Sequence, residues 1–489
     1  MVAFNSIGND LRTPFVAVEF DNTRASQGPS LLAYRALLIG QKISGGTATA
    51  DTVYRVTSAD DVLTLAGRGS QLHRMAIAWF ASNTSTEVWI GVLDDDGSAV
   101  AATGTITVTG PATAAGTISL WIGGTRVTVA VADGDAQNDI ATAIDAAINA
   151  NADLPVTSGV ATNVVTLTAR NGGEVGNGLD VRDSYRDGEA LPAGVALAYV
   201  APASGATNPA LTNLIAALGD TWYQIIAHPF TDATSLTAIE NEISDRNGPL
   251  RMIDGVAVTS AAGTAGTLTT LGNGRNSEFS SIVAQPGANP LTWPPEFAAE
   301  SAALAAFYGA IDPARPFQTL AYSHALPPAE VDYFTLQERN LLLFDGIATS
   351  EVAAGDVVQI GRLITTYQTN GAGAPDTSYL DVTTRLTLLY LRYSFRVRMQ
   401  TRFPRHKLAD DGVRLGSGQV VMTPSLGKAE ALNWFRDMES LGLVENFDQF
   451  KTDLVVERND VDPNRLDFLL PPDLINSLIV TAAQIQFRL

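Results

Sequence analysis

The 489-residue chain contains no cysteine, which excludes disulfides and thiolate metal sites. Histidine is nearly as scarce. His73, His228, His324 and His406 are scattered, and none pairs with another at the spacing a metal site needs. Charged residues make up only 17% of the chain, and the net charge is −20, so there is no basic surplus for neutralising phosphates and a general nucleic-acid binder is excluded. No run approaches the ~18 uninterrupted apolar residues of a membrane helix, so no membrane insertion is expected. The opening MVAFNSIGNDLR lacks a basic stretch followed by an apolar core, so it does not read as a signal peptide. The protein is therefore expected to be made and kept in a cytoplasm, or released only by lysis.

What is present is globular: 46% apolar residues, with 42 Gly and 23 Pro for turns, at a length that implies roughly three or four domains. The acidity is uneven. Residues 380–489 carry fourteen basic and fourteen acidic groups, so the whole surplus of −20 lies in residues 1–379. The last quarter of the chain meets a different environment from the rest.

Residues 1–30 read as an arm. Thr13-Pro14 sets an extended start, Val16, Val18 and Phe20 alternate with Ala17 and Glu19, and the polar linker DNTRASQGPS follows. Tyr34–Gly40 is a buried strand. Helices are expected over Ala59–Ala66 and after Gly69-Ser70, the second with Leu72, Met75, Ala76 and Trp79 on one face, and Glu87–Leu93 is a strand. From about 100 to 205 the texture changes to short β runs (Thr105–Thr109, Ile118–Ile122, Val127–Val131, Val164–Thr168). One helix carries Ile140, Ile144 and Ile148 at i, i+4 and i+8. This stretch reads as an inserted β-rich module. From Leu211 to about Ile347 strands and helices alternate, which implies a largely parallel sheet with helices on both faces.

The two ends of the C-terminal region are the informative part. Thr383–Arg402 reads as a helix bearing Arg392, Arg396, Arg398 and Arg402, with Arg405, His406 and Lys407 just beyond. Either these flank a solvated helix with local ion pairs, or they form a basic strip facing an acidic partner. A second helix is expected from Pro424 to about Gly442, burying Leu432, Trp434 or Phe435, and Met438. The chain closes on INSLIVTAAQIQFRL, in which Ile485, Phe487 and Leu489 alternate with Gln484, Gln486 and Arg488. That period of two marks a strand with one covered face. The cover is either the chain's own sheet or a neighbour's.

Signals for catalysis are weak. His228 ends a strand of the parallel sheet with Asp232 and Ser235 close in sequence, but no Gly-x-Ser-x-Gly turn accompanies them, and a satisfied structural histidine is expected. Asp94–Gly97 (DDDG) lacks the spacing and closing glutamate of a calcium loop and reads as a turn. GNGR at Gly272–Arg275 is not placed between a strand and a helix as a phosphate loop requires. No catalytic residue, cofactor or metal is assigned. Two rival readings remain: an α/β hydrolase with β-rich binding modules, resting on His228, Asp232 and Ser235, and a monomeric carbohydrate-binding decoration protein.

One long stretch, NLLLFDGIATSEVAAGDVVQIGRLITTY followed by GAPDTSYLDV, resembles the contractile-tail sheath proteins of bacteriophages. The matching positions are Gly346-Ile347, Arg362, Ile364, Thr365, Thr366, Tyr367, Asp376, Ser378 and Tyr379. RTPFVAVEFDNTRA, the turn in AGRGSQLHRM and the ending PPDLINSLIVTAAQIQFRL agree with the Mu-like branch. The resemblance implies a fold that is α/β plus β-rich and multidomain. It has a 1–30 arm, a non-catalytic subtilisin-like α/β domain from 31–99 and 206–379, an inserted β-rich protruding domain over 100–205, and an α+β C-terminal domain over 380–489. It further implies stacked hexameric rings around a tail tube, joined by lent strands at both chain ends. The partners it implies are other copies of itself, the tube protein, and baseplate and tail terminator proteins.

Overall fold

The computed structural model describes residues 32–488 apart from 415 and 417, and these divide into two compact bodies, one of 33–390 with 474–488 and one of 391–473. The 1–30 arm, with Val16, Val18 and Phe20, and the terminal Leu489 lie outside the described residues.

The larger body is built on β1 (Arg35–Gln41), β2 (Thr52–Val56), α1 (Ala59–Ala66), α2 (Gln71–Ser82) and β3 (Glu87–Leu93). Ser58 caps α1 reciprocally with Asp61, and Ser70 caps α2 through the His73 N–H. The face expected of α2 is fully buried at Leu72, Met75, Ala76 and Trp79.

An excursion then runs through β4 (Ala101–Thr109), β5 (Gly116–Ile122), β6 (Thr125–Val131), α3 (Gln137–Ala150), β7 (Val156–Ala161), β8 (Val164–Gly172), β9 (Val181–Asp183) and β10 (Ala196–Ala203). It forms two antiparallel sheets, ordered β10-β4-β8-β7 and β6-β5-β9. Their shared core includes Ile106, Ile118, Leu120, Val165 and Leu167 with Ile140, Ile144 and Ile148 of α3. The outer edge of β7 is occupied by a side chain. Asn149 of α3 donates Nδ2 to the Ser158 carbonyl and accepts the Ser158 N–H on Oδ1, both at 3.0 Å, as a paired strand would.

The chain returns through α4 (Thr212–Leu218), β11 (Ile225–Ala227), α5 (Ala233–Asn247), β12 (Val256–Ala261), α6 (Ala265–Asn273), β13 (Ser280–Ala284), α7 (Pro294–Ile311), α8 (Leu336–Phe344), β14 (Ile347–Ala353) and β15 (Val357–Arg362). The sheet has eight strands in the order β15-β14-β13-β12-β11-β1-β3-β2. The six inner strands are parallel, and β15 and β2 pair antiparallel at the edges. The inner strands are largely buried on both faces, as in a sheet covered twice, although Thr259, Ser260, Ser280, Ser281, Thr349 and Ser350 bring polar side chains into them. Helix α7 opens on Pro294-Pro295 and is buried on nearly every side, which its alanines allow.

The excursion is pinned to this sheet by polar contacts. Asp95, in the DDDG turn, accepts Gln41 Nε2 (2.7 Å) and Asn171 Nδ2 (3.0 Å) on Oδ1 and the Gly172 N–H (2.7 Å) on Oδ2. Trp293, just before α7, buries its ring in the β-rich core and donates to the Val175 carbonyl. Gly69 has φ +80, and a Cβ there would stand 2.5 Å from the Ala152 carbonyl. The Gly-x-Gly-Ser turn is thus set by the close approach of the excursion.

Helix α9 (Val382–Arg402) is shared between the two bodies. The smaller one continues with β16 (Lys407–Leu408), β17 (Val421–Met422), α10 (Pro424–Ser440), β18 (Val444–Glu445), α11 (Phe447–Asp453) and the hairpin β19 (Val455–Arg458) and β20 (Leu466–Leu469). Its core is aromatic. Phe435 stacks on Phe450 at 4.3 Å, and Phe395 meets both Trp434 and Phe468 edge-on. Trp434 and Phe435 are both buried with Met438, and Leu432 is only half-buried. One stripe of α10 is wide enough to take two consecutive aromatics because α9 and α11 pack on either side of it.

Candidate assembly surface

The C-terminal tail belongs to none of the chain's own sheets. Among the described residues, 475–488 form no strand. Its root rests on the larger body: Ser477 and Ile479 line a crevice with Phe317, Leu363 and Thr383, and Gln318 Nε2 donates to the Leu478 carbonyl at 3.3 Å. Beyond Ile479 every described residue is exposed, and Ile485 and Phe487 show 90% and 79% of their surface to solvent. The apolar alternation read in the sequence is therefore uncovered in the single chain, an arrangement that favours association.

The basic residues of the smaller body separate into two groups. Arg398, with a side chain 13% exposed, pairs with Glu430 and Asp437 of α10, and Arg402 reaches the same Glu430 at 2.8 Å. Arg398 thus holds α9 to α10. Arg392 and Arg396 are half-buried and engaged with partners. Arg405 and Lys407 are exposed past the end of α9, with Lys407 Nζ 2.8 Å from Gln419 Oε1. The spacing on α9 gave each arginine's phase; it held no sign of Glu430, which lies 32 residues away in α10.

The residues of the signature stretch fasten the segment between β15 and α9 to the sheet. Arg362 makes two 2.9 Å bonds to Asp381, and Thr365 Oγ1 donates to the Tyr379 carbonyl at 2.7 Å. Tyr367 Oη donates to Asp376 at 2.7 Å, and Asp376 also accepts the Ser378 N–H and hydroxyl. Gly272 meets the end of α8 so closely that a Cβ would stand 2.0 Å from the Asp345 carbonyl. The GNGR stretch is a packing contact, with Arg275 paired to Glu240.

The residues of the hydrolase reading do not form a catalytic group. Asp232 caps α5, accepting the Ser235 N–H at 2.8 Å on Oδ1 and Asn208 Nδ2 at 2.8 Å on Oδ2. His228 is fully buried, and neither ring nitrogen has a hydrogen-bond partner among the described residues. Burial outweighs the pull of Asp232 and the Phe230 backbone and holds its pKa down to about 4. The ring is neutral packing, and the expectation of a satisfied histidine is corrected on that point.

Two buried acids went unnoticed in the sequence, Glu296 and Glu300 on α7. Glu296 takes Arg74 Nε and His324 Nε2, each at 2.6 Å. Burial pushes its carboxyl up, but Arg74 and His324 outweigh it and hold the pKa below the usual range. Glu300 accepts the N–H groups of Ser323, His324 and Ala325 and the Ser82 hydroxyl, and burial raises its pKa. An alanine-rich helix with acids at i and i+4 was the available signal. The two carboxylates clamp a loop and α2 to the helix. No group of three or more His, Asp or Glu suited to a metal occurs among the described residues.

An exposed C-terminal tail, ion pairs that hold helices together and, among the described residues, no assembled nucleophile describe a structural subunit built to associate. Comparison with known proteins agrees. Profiles of the phage tail sheath protein match three stretches: the β-sandwich domain over residues 97–196, the central domain over 204–366 and the C-terminal domain over 374–488. The Mu-like prophage FluMu tail sheath protein of Haemophilus influenzae is 41% identical over 488 residues, covering all of both chains. Among solved structures, the sheath tail protein of Desulfitobacterium hafniense superposes with a TM-score of 0.51 at 14% identity, covering 95% of this chain and 97% of that one. The sheath tail protein Lin1278 of Listeria innocua gives 0.48 at 11% identity, covering 93% and 94%. The chain belongs to the phage tail sheath family, within reach of its Mu-like members. Its role is structural, and the hydrolase reading has no support.

Proposed function

We propose that this chain polymerises into stacked six-membered rings around the tail tube of a phage and contracts to drive that tube into a host cell. Subunits are linked by strands lent from both ends: Val16, Val18 and Phe20 from the arm, and Ile485, Phe487 and Leu489 from the tail. The observation that carries the reading is the uncovered alternation at Ile485 and Phe487. A lent strand covers that face and completes the backbone pairing of an open sheet edge in a neighbour.

Contraction needs no nucleotide. It requires two lattice arrangements of unequal energy, with more subunit surface buried in the shorter, wider one. Arg405, Lys407 and the outer face of Arg402 are the part of the basic set best suited to an acidic tube surface, because Arg398 is held within its own body. Arg392 and Arg396 complete the candidate strip. Exposed rim charges such as Arg405 and Lys407 make contacts that form and break readily. Baseplate and terminator proteins cap the ends of the assembly, which is built in the host cytoplasm and ends in the virion tail. Nucleic acid is not contacted directly.

The test is removal of Ile485–Leu489. The truncated subunit is expected to fold and remain unassembled in electron microscopy and sedimentation. Normal tubes from the truncated chain would refute strand lending.

A further inference from the structure

The chain holds five Asn-Gly pairs, at Asn171, Asn177, Asn247, Asn273 and Asn370. This dipeptide is chemically labile when the glycine nitrogen can reach the asparagine side-chain carbon, because glycine puts no Cβ in the way. The fold restrains four of the five. Asn171 is buried, its amide is bonded to Lys42, Asp95 and Gln71, and the Gly172 N–H is held by Asp95 at 2.7 Å. The Asn177 amide is clamped at both ends by Gly205, at 2.9 and 2.7 Å. Asn247 and Asn273 are the last residues of α5 and α6. The Gly248 N–H is bonded to Asp245 and the Gly274 N–H to Leu271.

Asn370-Gly371 is different. It opens a five-residue turn in which Asn370 is half-buried and residues 371–374 are exposed, closed by the Asn370 N–H on the Ala374 carbonyl (2.9 Å) and the Gly373 N–H on the Asn370 carbonyl (2.8 Å). Among the described residues the Gly371 N–H makes no hydrogen bond, and a Cβ at Gly371 would meet nothing within 4 Å. Asn370 Oδ1 accepts two N–H groups, from Ala372 at 3.0 Å and Ala374 at 3.1 Å. Both fall on the oxygen and polarise the carbonyl toward attack, while the leaving Nδ2 makes no bond among the described residues, unlike the Asn171 and Asn177 amides, which are held at Nδ2 as well.

We infer that Asn370 is a site of spontaneous deamidation, singled out by the fold from the five Asn-Gly pairs. A solvent base takes the Gly371 amide proton, and the nitrogen bonds to Asn370 Cγ. The Cγ–Nδ2 bond breaks and ammonia leaves with a proton from water. Water then opens the cyclic imide at either carbonyl, giving aspartate or isoaspartate and one new negative charge. The isoaspartate form lengthens the main chain inside the turn. The adjoining Thr369–Pro375 bridge and the Tyr367–Asp376 bond then lose their register.

The experiment incubates the full-length native protein at mildly alkaline pH and maps all five peptides by mass spectrometry and isoaspartate labelling, with a urea-unfolded sample in parallel. In the native protein Asn370 is expected to convert several-fold faster than each of the other four, and in the unfolded chain the five rates are expected to converge. Gly371→Ala, which the open space accommodates, is expected to slow the native reaction several-fold without lowering the melting temperature. Conversion of Asn370 no faster than the others, the same ranking in urea, or an unchanged rate in Gly371→Ala would each overturn the inference.

Discussion

The double substitution Ile485→Ala/Phe487→Ala separates folding from assembly. Both side chains are almost fully exposed in the single subunit, so removing them costs its stability about 0.5 kcal/mol or less. On the proposed reading a neighbour covers them in the lattice, and burying an Ile or Phe side chain is worth ~1.5–3 kcal/mol. Two of them amount to about 4 kcal/mol per subunit contact, and at 1.4 kcal/mol per decade this raises the concentration needed for assembly roughly a thousand-fold. Sedimentation over a concentration series gives the threshold, and urea unfolding of the unassembled protein gives the stability. Two results would refute the reasoning. An unchanged threshold would mean the tail is not an assembly strand, and a destabilised monomer would mean it packs on its own subunit.

Three further substitutions test the interior. Arg398→Ala leaves Glu430, whose side chain is 7% exposed, with only the half-exposed Arg402, and is expected to cost the smaller body about 3 kcal/mol in urea unfolding. His228→Leu replaces two unpartnered buried nitrogens with carbon and is expected to be neutral or stabilising by ~1 kcal/mol. The same variant alters the pH profile. The folded pKa of His228 is depressed from 6.5 to about 4, so the unfolded chain holds the extra proton in that window and stability falls as pH drops through it. The full loss is about 3 kcal/mol at 1.36 kcal/mol per unit, and it should vanish in His228→Leu. Glu300→Ala strands three backbone N–H groups and the Ser82 hydroxyl, with an expected cost of at least ~2 kcal/mol and early proteolysis between residues 319 and 326.

Local periodicity carried the element reading far. The strand Glu87–Leu93 and the helix Ala59–Ala66 fall within the expected bounds, and the stripe Ile140, Ile144, Ile148 faces a core as its spacing required. Each of these elements has its pattern set by neighbours within one or two turns. Partners distant in sequence were not legible. Nothing near Arg398 announces Glu430, and nothing near Glu300 announces the loop at residues 323–325. Asp94–Gly97 read as a turn, and the turn closes one residue on, from Asp96 to Ala99; the reach of Asp95 to Gly172 depends on an excursion of nearly eighty residues folding back. The tail differs: its alternation is plain in the sequence, but residues 475–488 form no strand in the single chain, and only the exposure of Ile485 and Phe487 is seen. An apolar alternation keeps its pattern in the sequence whether or not the single chain covers it.

On the proposed strand-lending reading, a subunit must also refuse nearly every other strand it meets. Asn149 does this at β7. Its amide presents the Ser158 backbone with the two bonds an incoming chain would offer, so the middle of that edge is already paired. An Asn149→Ala subunit is expected to leave the Ser158 backbone groups of that edge open to another strand.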